Sequence, residues 1–276
     1  KRLLGAPPNE VVAERTRLTA RAKEIAAACT EAPPELDCVV AGSGFLYGYY
    51  LGVQSVLTQL ENEGRTKVHR FSGASSGAQA PFQRLLQGDD RTMDCFLSHA
   101  RLHEEHCKGA SMLRWAWNAD VHWKALSELM IDEHAAELQK LDGRMFTSVT
   151  HWGGSWTLSR NALYSQYSHS SKFTKEAFYA TGTALTRCNG ALSSDGGATN
   201  NVPLFTDHDR PQLIVTATKS GLPLSFAVRY TFADGIGMIE RGQDDAARLY
   251  ASASATAAPI PALSMVPGKK EQKGPI

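Results

Sequence analysis

The apolar positions of this chain fall into two rhythms, short continuous runs and helical repeats, and their alternation predicts an α/β fold. LDCVVA (Leu36 to Ala41) has the length and continuity of a buried parallel strand. It ends in a turn, Gly42-Ser43-Gly44, after which Leu51, Val53, Val56, Leu57 and Leu60 recur at helical spacing between about Tyr49 and Glu63, with Gly64 placed as a C-cap. A second β-branched and aromatic run opens at Val68 and feeds Gly73-Ala74-Ser75-Ser76-Gly77, followed by the helix-compatible AQAPFQRLLQG. Strand, glycine turn and helix thus occur twice in succession.

Ahead of these units, Asn9 is placed to cap a helix from about Glu10 to Cys29 whose surface carries Arg15, Arg17, Arg21 and Lys23 beside Val12, Leu18 and Ile25. Such a helix could lie on an anionic membrane or a protein partner, and an outer cover of the domain is the expected account. EAPPE (Glu31 to Glu35) reads as a hinge. Beyond the second unit, Asp90 to Leu141 reads as mainly helical, MFTSVTHW and SWTLSR (Ser155 to Arg160) as a hairpin around Gly153-Gly154, and KFTKEAFYATG as a helix capped by Ser170 or Ser171. QLIVTAT (Gln212 to Thr218) and a strand around LSFAVRY complete the sheet, and the proline-bearing stretch after Ala257 reads as an extended arm. The resulting division is 1-35 for helix and hinge, 36-256 for the domain proper, and 257-276 for the tail.

Composition narrows the class. Of 276 residues, 42% are hydrophobic and 21% charged, enough to bury a sizeable core, and the net charge of +1 with no lysine and arginine stripe excludes a nucleic-acid binder. Five cysteines (Cys29, Cys38, Cys95, Cys107, Cys188) without a Cys-x-x-Cys pair suggest neither a disulfide framework nor a zinc ribbon. The expected location is intracellular: a reducing compartment, an organelle reached after loss of a targeting peptide ahead of Lys1, or the periphery of a membrane. No apolar run approaches the roughly 20 residues that span a bilayer.

Candidate chemistry centres on Ser75. A serine in a Gly-x-Ser-x-Gly turn between strand and helix is lifted clear of the sheet, and the flanking glycines, Gly73 and Gly77, admit neighbouring backbone. The Gly42-Ser43-Gly44 turn opens a helix, where backbone N–H groups suit a phosphate or an oxyanion. SSDGGATNNVPL places Asp195 before Gly196 and Gly197 in a loop rich in residues that bond their own backbone. In an open sheet the carboxyl ends of parallel strands share one edge, where these three loops can meet. His99, His103 and His106, with Cys107 beside them, fall within two helical turns, yet His-Glu-Glu-His lacks the spacing of His-Glu-x-x-His, and a solvated helix face is the expected account. Trp115, Trp117 and Trp123 suit helix packing, or a lid over a lipid-sized pocket.

AGSGFLYGYYLGV (Ala41 to Val53), GASSG, DGGATNNVPL and RGQDDA (Arg241 to Ala246), in this order, resemble the patatin-like phospholipase domain, and within it the adiponutrin-type branch. The resemblance covers about Leu36 to Tyr250. It departs at Leu46 and Tyr47, where the family usually carries a glycine or a basic residue, and in the proline-free ATGTALTRCNGALSSDGG. It implies a three-layer α/β/α fold with a mainly parallel central sheet and a nucleophile elbow. It further implies a lipid acyl hydrolase with a serine–aspartate dyad: Ser75 attacks, Asp195 takes the proton, and N–H groups of Gly42, Ser43 and Gly44 hold the oxyanion. No metal or cofactor is required. The implied partners are a lipid substrate, a membrane or lipid-droplet surface, and a protein engaging the N-terminal helix or the tail. Because an ordinary aspartate, near pKa 3.9, is a feeble base at neutral pH, Asp195 is expected to be shielded, close to Ser75 and without a lysine or arginine beside it. Two other readings compete: an α/β-hydrolase using Ser75, Asp195 and His208, and a patatin-fold accessory or scaffold subunit without activity.

Overall fold

The computed structural model describes residues 7–108, 111, 128, 130–152, 163–167, 175–182, 186–188, 190–198, 200–227, 229–251 and 260–268. They form a mixed α/β architecture around an eight-stranded sheet of order β5-β6-β3-β2-β1-β7-β8, with β4 also on β3, whose central strands β7, β1, β2 and β3 run parallel. The strands are β1 (Leu36–Val40), β2 (Val68–Ala74), β3 (Met145–Trp152), β4 (Leu163–Tyr167), β5 (Thr186–Cys188), β6 (Ala191–Asp195), β7 (Gln212–Val215) and β8 (Leu263–Val266). The helices are α1 (Asn9–Ala28), α2 (Tyr47–Asn62), α3 (Ser76–Gln87), α4 (Asp89–Cys107), α5 (Lys175–Thr181) and α6 (Phe232–Tyr250).

β1 is buried along its whole length, as its largely apolar run predicts, and its one charged residue, Asp37, pairs with Arg70 and Arg210. It lies between β2 and β7, parallel to both, and Val40 is level with Gly73 on one side and Val215 on the other. β2 runs parallel to the inner half of β3, Ala74 opposite Ser148. Every parallel strand of this centre therefore ends on one edge. The outer half of β3 continues past that edge and pairs antiparallel with both β4 and β6.

Several expectations need correction. Asn9 is the first residue of α1 rather than its cap, and Pro8, which lacks a capping side chain, precedes it. Ser155 to Arg160 lie outside the described residues, and an antiparallel partner of β3 comes later, at β4. Leu224–Ala227 is a 3₁₀ turn, not a strand. β8, inside the expected tail, pairs with β7 and buries Ala262 and Leu263. His99 and His103 do not face solvent: both are buried among Phe45 and Tyr230, with His99 Nδ1 2.9 Å from the Tyr230 hydroxyl. Trp115, Trp117 and Trp123 lie outside the described residues, as do the side chains of His106 and Cys107.

α1 packs on α2, α4 and α6 and sinks Val11, Leu18, Ala22 and Ala26 into the core. Its arginines are spent on that contact: Arg15 pairs with Asp94 and Asp90, Arg17 with Glu240, and Arg21 with Asp244. Among the described residues no helix is long and apolar enough to cross a membrane. Cys29, Cys38, Cys95 and Cys188 are buried free thiols.

The tightest helix crossing is α2 on α6. α6 starts at a capping box in which Thr231 Oγ1 accepts from the Asp234 N–H at 3.1 Å and the Thr231 N–H donates to Asp234 Oδ2 at 2.8 Å. A Cβ on Gly52 would run into the Ile239 carbonyl and one on Gly242 into the Tyr49 carbonyl, so both glycines are spacers that let the two backbones touch. Asp245, 1% exposed, accepts from the Tyr49 hydroxyl at 2.9 Å and pairs with Arg241 at 3.3 Å and Arg248 at 3.2 Å. Gln243 donates to the Leu18 carbonyl and to Ser55, tying α1 and α2 to the same helix. RGQDDA is thus a helix-joining segment.

This crossing generates a paired prediction. Gly242→Ala should lower the unfolding free energy by about 1–3 kcal/mol, because backbone must move to admit a methyl group. Gly237→Ala, in the same helix with open space around it, should raise it by up to about 1 kcal/mol through helix propensity. Denaturant unfolding of the two variants measures both signs.

Candidate active site

Ser75 sits where β2 ends and α3 begins, with φ 54° and ψ −132°. An L-residue adopts such a backbone only under external constraint. The constraint is the close passage of neighbouring main chain. A Cβ on Gly77 would strike the Val40 carbonyl and lie 2.7 Å from the Ala41 carbonyl, and one on Gly73 would strike the Gly77 carbonyl. With no Cβ at either position, helix α3 starts tight against β1 and β2, and the serine is turned out at its tip. The Ser75 N–H donates to Thr181 Oγ1 at 2.9 Å, so α5 also holds the turn.

Asp195 arrives from the other side of β3. β6 runs antiparallel to the outer half of β3, placing Asp195 opposite Val149, one residue beyond the Ser148 that pairs with Ala74. The last residue of β6 therefore comes level with the first residue after β2. The route differs from that expected, since Asp195 ends an antiparallel strand and not a parallel one. Its main-chain carbonyl accepts from Thr150 Oγ1 at 2.8 Å, and Oδ1 accepts from the Gly197 N–H at 2.7 Å. A Cβ on Gly196 would run into the Ser148 carbonyl, and one on Gly197 would lie 3.0 Å from Asp195 Oδ1, so both glycines let the loop fold back over the carboxylate.

The Ser75 hydroxyl faces the Asp195 carboxylate closely enough to act on its pKa as a donor. Burial pushes the Asp195 carboxyl above its usual value, and the bonds from Ser75 and Gly197 offset only part of that rise. Among the described residues no lysine or arginine contributes. Ser75 and Asp195 remain partly exposed, so the pair is reachable from solvent.

The glycine turn completes the group. Gly42 lies against Ser75, where a Cβ would be 2.9 Å from the Ser75 Cβ and from the Ala74 carbonyl. Its N–H donates to Asn201 Oδ1 at 3.0 Å, and its carbonyl accepts from Asn201 Nδ2 at 3.1 Å. The Ser43 N–H donates to Ser76 Oγ at 3.0 Å. Two of the three N–H groups expected to hold an oxyanion thus already have acceptors. The Gly44 N–H, and those of Ser76 and Gly77 at the start of α3, have none among the described residues. Gly44 takes φ +58° and abuts Ala227, so the 3₁₀ turn at Leu224–Ala227 backs the glycine turn.

His208 stands elsewhere. It precedes β7, whose first residue Gln212 is level with Asp37 at the start of β1, and its Nδ1 lies 3.3 Å from Gln212 Nε2. That is the amino edge of the sheet, opposite to Ser75, so His208 does not join Ser75 and Asp195. Among the described residues no group of His, Cys, Asp or Glu is arranged to hold a metal ion.

Asn201 and Thr181 were the residues missed as parts of the site. Asn201 stood in the DGGATNNVPL segment as one of several turn formers, and nothing local distinguishes it from Asn200. Thr181 carries no signal, because its contact with Ser75 depends wholly on how α5 packs. No protein-family model and no curated protein matches the sequence.

Two stability predictions follow from strain and burial. Ser75→Gly should be more stable than Ser75→Ala by about 1 kcal/mol, since only glycine meets that φ without a Cβ penalty. A carboxyl whose folded pKa is raised costs stability, absent below its unfolded pKa and fully present above the folded one. Asp195→Asn should therefore raise the Tm at neutral pH and leave it unchanged near about pH 3, below the ordinary aspartate value.

Proposed function

We propose that this chain is a lipid acyl hydrolase of the patatin-like phospholipase type, with that family's three-layer α/β/α arrangement, cleaving fatty-acyl esters through Ser75 and Asp195. The observation that carries the reading is the placement of Ser75, on its strained turn, beside a shielded Asp195 carboxylate on which its hydroxyl acts and which burial holds above its usual pKa. An ordinary carboxylate gains little from taking a serine proton, and one raised by burial is a better base.

In this reaction Ser75 Oγ attacks the ester carbonyl carbon as its proton passes to Asp195. The tetrahedral oxyanion is held by the N–H groups that have no acceptor among the described residues, that of Gly44 in the glycine turn and that of Ser76, the residue following the nucleophile. The carbon–oxygen bond to the alcohol breaks, and the alcohol leaves with the proton from Asp195. Water then attacks acyl-Ser75 while giving a proton to Asp195, and that proton returns to Ser75 Oγ as the fatty acid departs. Phospholipid, galactolipid and glyceride esters share this chemistry, and transfer to an acceptor other than water uses the same groups.

A second reading, an accessory or scaffold subunit of the same fold without activity, is favoured by one observation: the Gly42 and Ser43 N–H groups are occupied by Asn201 and Ser76. Labelling with a fluorophosphonate separates the two. The hydrolase is expected to be modified at Ser75, and a folded protein that stays unlabelled belongs to the second class.

With a panel of lipid esters, Ser75→Ala and Asp195→Asn should each lower kcat by about a thousandfold or more, while His208→Ala should leave it nearly unchanged. Activity needs the Asp195 carboxylate. The acid limb of kcat/KM is therefore expected above the ordinary value of about 3.9, activity falling as pH drops through the raised pKa.

A further inference from the structure

We propose that Asn201 is a positioning residue that clamps the glycine turn to the loop carrying Asp195, and so fixes the oxyanion donors relative to the nucleophile. The proposal rests on the reading of Ser75 and Asp195 as nucleophile and base. Its basis is a two-point bond. Asn201 Oδ1 accepts from the Gly42 N–H at 3.0 Å while Asn201 Nδ2 donates to the Gly42 carbonyl at 3.1 Å, so one side chain holds the peptide units on both sides of the Gly42 Cα. With both units fixed, little freedom remains in the turn running on to the Gly44 N–H.

The carboxamide is wedged into place. A Cβ on Gly42 would lie 2.7 Å from Asn201 Oδ1, and a Cβ on Gly197 would lie 2.8 Å from the same atom. Gly197 in turn donates to Asp195 Oδ1 at 2.7 Å. The Asn201 amide thus sits between the turn beside Ser75 and the turn beside Asp195, linking residues far apart in sequence. It also explains two glycines at once, since a side chain on either would displace it.

Chemistry narrows this position to asparagine. Aspartate has the same shape and still accepts from Gly42, but it cannot donate to the carbonyl and it brings a charge. That charge would lie beside Asp195, to which the described groups contribute only hydrogen bonds from Ser75 and Gly197. Across the paired strands, β3 presents Thr150 to the Asp195 carbonyl and His151 to Ser193 Oγ, while α5 presents Thr181 to the Ser75 N–H. Of these only His151 can take a charge, and burial lowers its pKa, so none offsets a second carboxylate at neutral pH. Leucine, of similar size, makes neither bond.

The test uses the whole chain with Asn201→Ala and Asn201→Asp, reading the fluorophosphonate labelling rate of Ser75, kcat and KM on a soluble short-chain ester, and the pH profile, with folding checked by circular dichroism. Asn201→Ala is expected to slow labelling and kcat by about a hundredfold, as a misplacement of about 1 Å does, with KM little moved. Asn201→Asp is expected to shift the acid limb of kcat/KM to higher pH, since a second carboxylate raises the pKa of Asp195; a purely structural role leaves that limb in place. Should Asn201→Ala fail to fold, the pH profile of Asn201→Asp decides. Wild-type labelling with both variants folded, labelled at the wild-type rate and unshifted in pH overturns the role of Asn201 and leaves the hydrolase reading standing. An unlabelled wild-type chain overturns both.

Discussion

Main chain meeting main chain at the carboxyl edge of β1 and β2 is the constraint on which the rest of the site depends. The Val40 and Ala41 carbonyls occupy the space a Cβ on Gly77 would need, and the Gly77 carbonyl occupies that of a Cβ on Gly73. Two glycines four residues apart thus allow a strand and the helix following it to share one short turn. The cost falls on Ser75, the residue between them, which is held at φ 54°. Strain of this kind persists only where the surroundings over-determine it. Here they do so from three directions: β1 through Gly77, α5 through Thr181, and the Gly42 turn pressed against the Ser75 Cβ.

The carboxylates of this chain show how one residue type is tuned in opposite directions by its neighbours. Asp207, at the amino edge of the sheet, accepts from Arg70 at 2.6 Å, and that bond holds its pKa down at about 2. Arg70 also serves the fully buried Asp37, and its guanidinium lies over the Phe205 ring at 4.1 Å. Asp245, buried between α2 and α6, has Arg241 and Arg248. Among the described residues Asp195 is shielded and receives no such cation, only neutral donors, and its pKa moves up. Arginines thus stabilise the scaffold, while the described surroundings of Asp195 supply none and leave a carboxylate with a proton affinity suited to the proposed base.

Much of this was legible in the residues, and what was not has physical reasons. β1, β2 and β7 are central strands, so apolar residues dominate LDCVV and QLIV and close the buried half of VHRFSGA, and all three read clearly. Ser75 and Asp195 are marked by glycines required where backbone passes close, and a close-passage glycine leaves a local trace. β5 and β6 went unread because ALSSD is polar on both faces, although Asn189-Gly190, with Gly190 at φ 80°, is a turn signal between them. LSFAVRY has strand composition, yet Leu224–Ala227 lies against Gly44 as a 3₁₀ turn, packing having overridden propensity. His99 and His103 looked solvated beside Glu104 and Glu105, but periodicity cannot tell which helix face will meet Phe45 and Tyr230. The capping box of α6 does leave a local trace, Thr231 followed three residues on by Asp234 ahead of the helical repeat.

The meeting of Ser75 with Asp195 depends finally on β3 playing two parts. Met145 to Ser148 pair in parallel with β2, and Val149 to Trp152 pair antiparallel with β6. A single strand therefore carries the register of both partners, and the position of Asp195 relative to Ser75 is set by adjacent rungs of it, Ser148 and Val149. Because side chains alternate faces along a strand, a slip of one residue between β3 and β6 would turn the carboxylate to the other side of the sheet. The Thr150 bond to the Asp195 carbonyl and the closeness of Gly196 to the Ser148 carbonyl both resist that slip. In this sense the separation of the proposed nucleophile and base is a property of one ladder, and its strength comes from backbone geometry that the Gly-x-Ser-x-Gly turn alone does not encode.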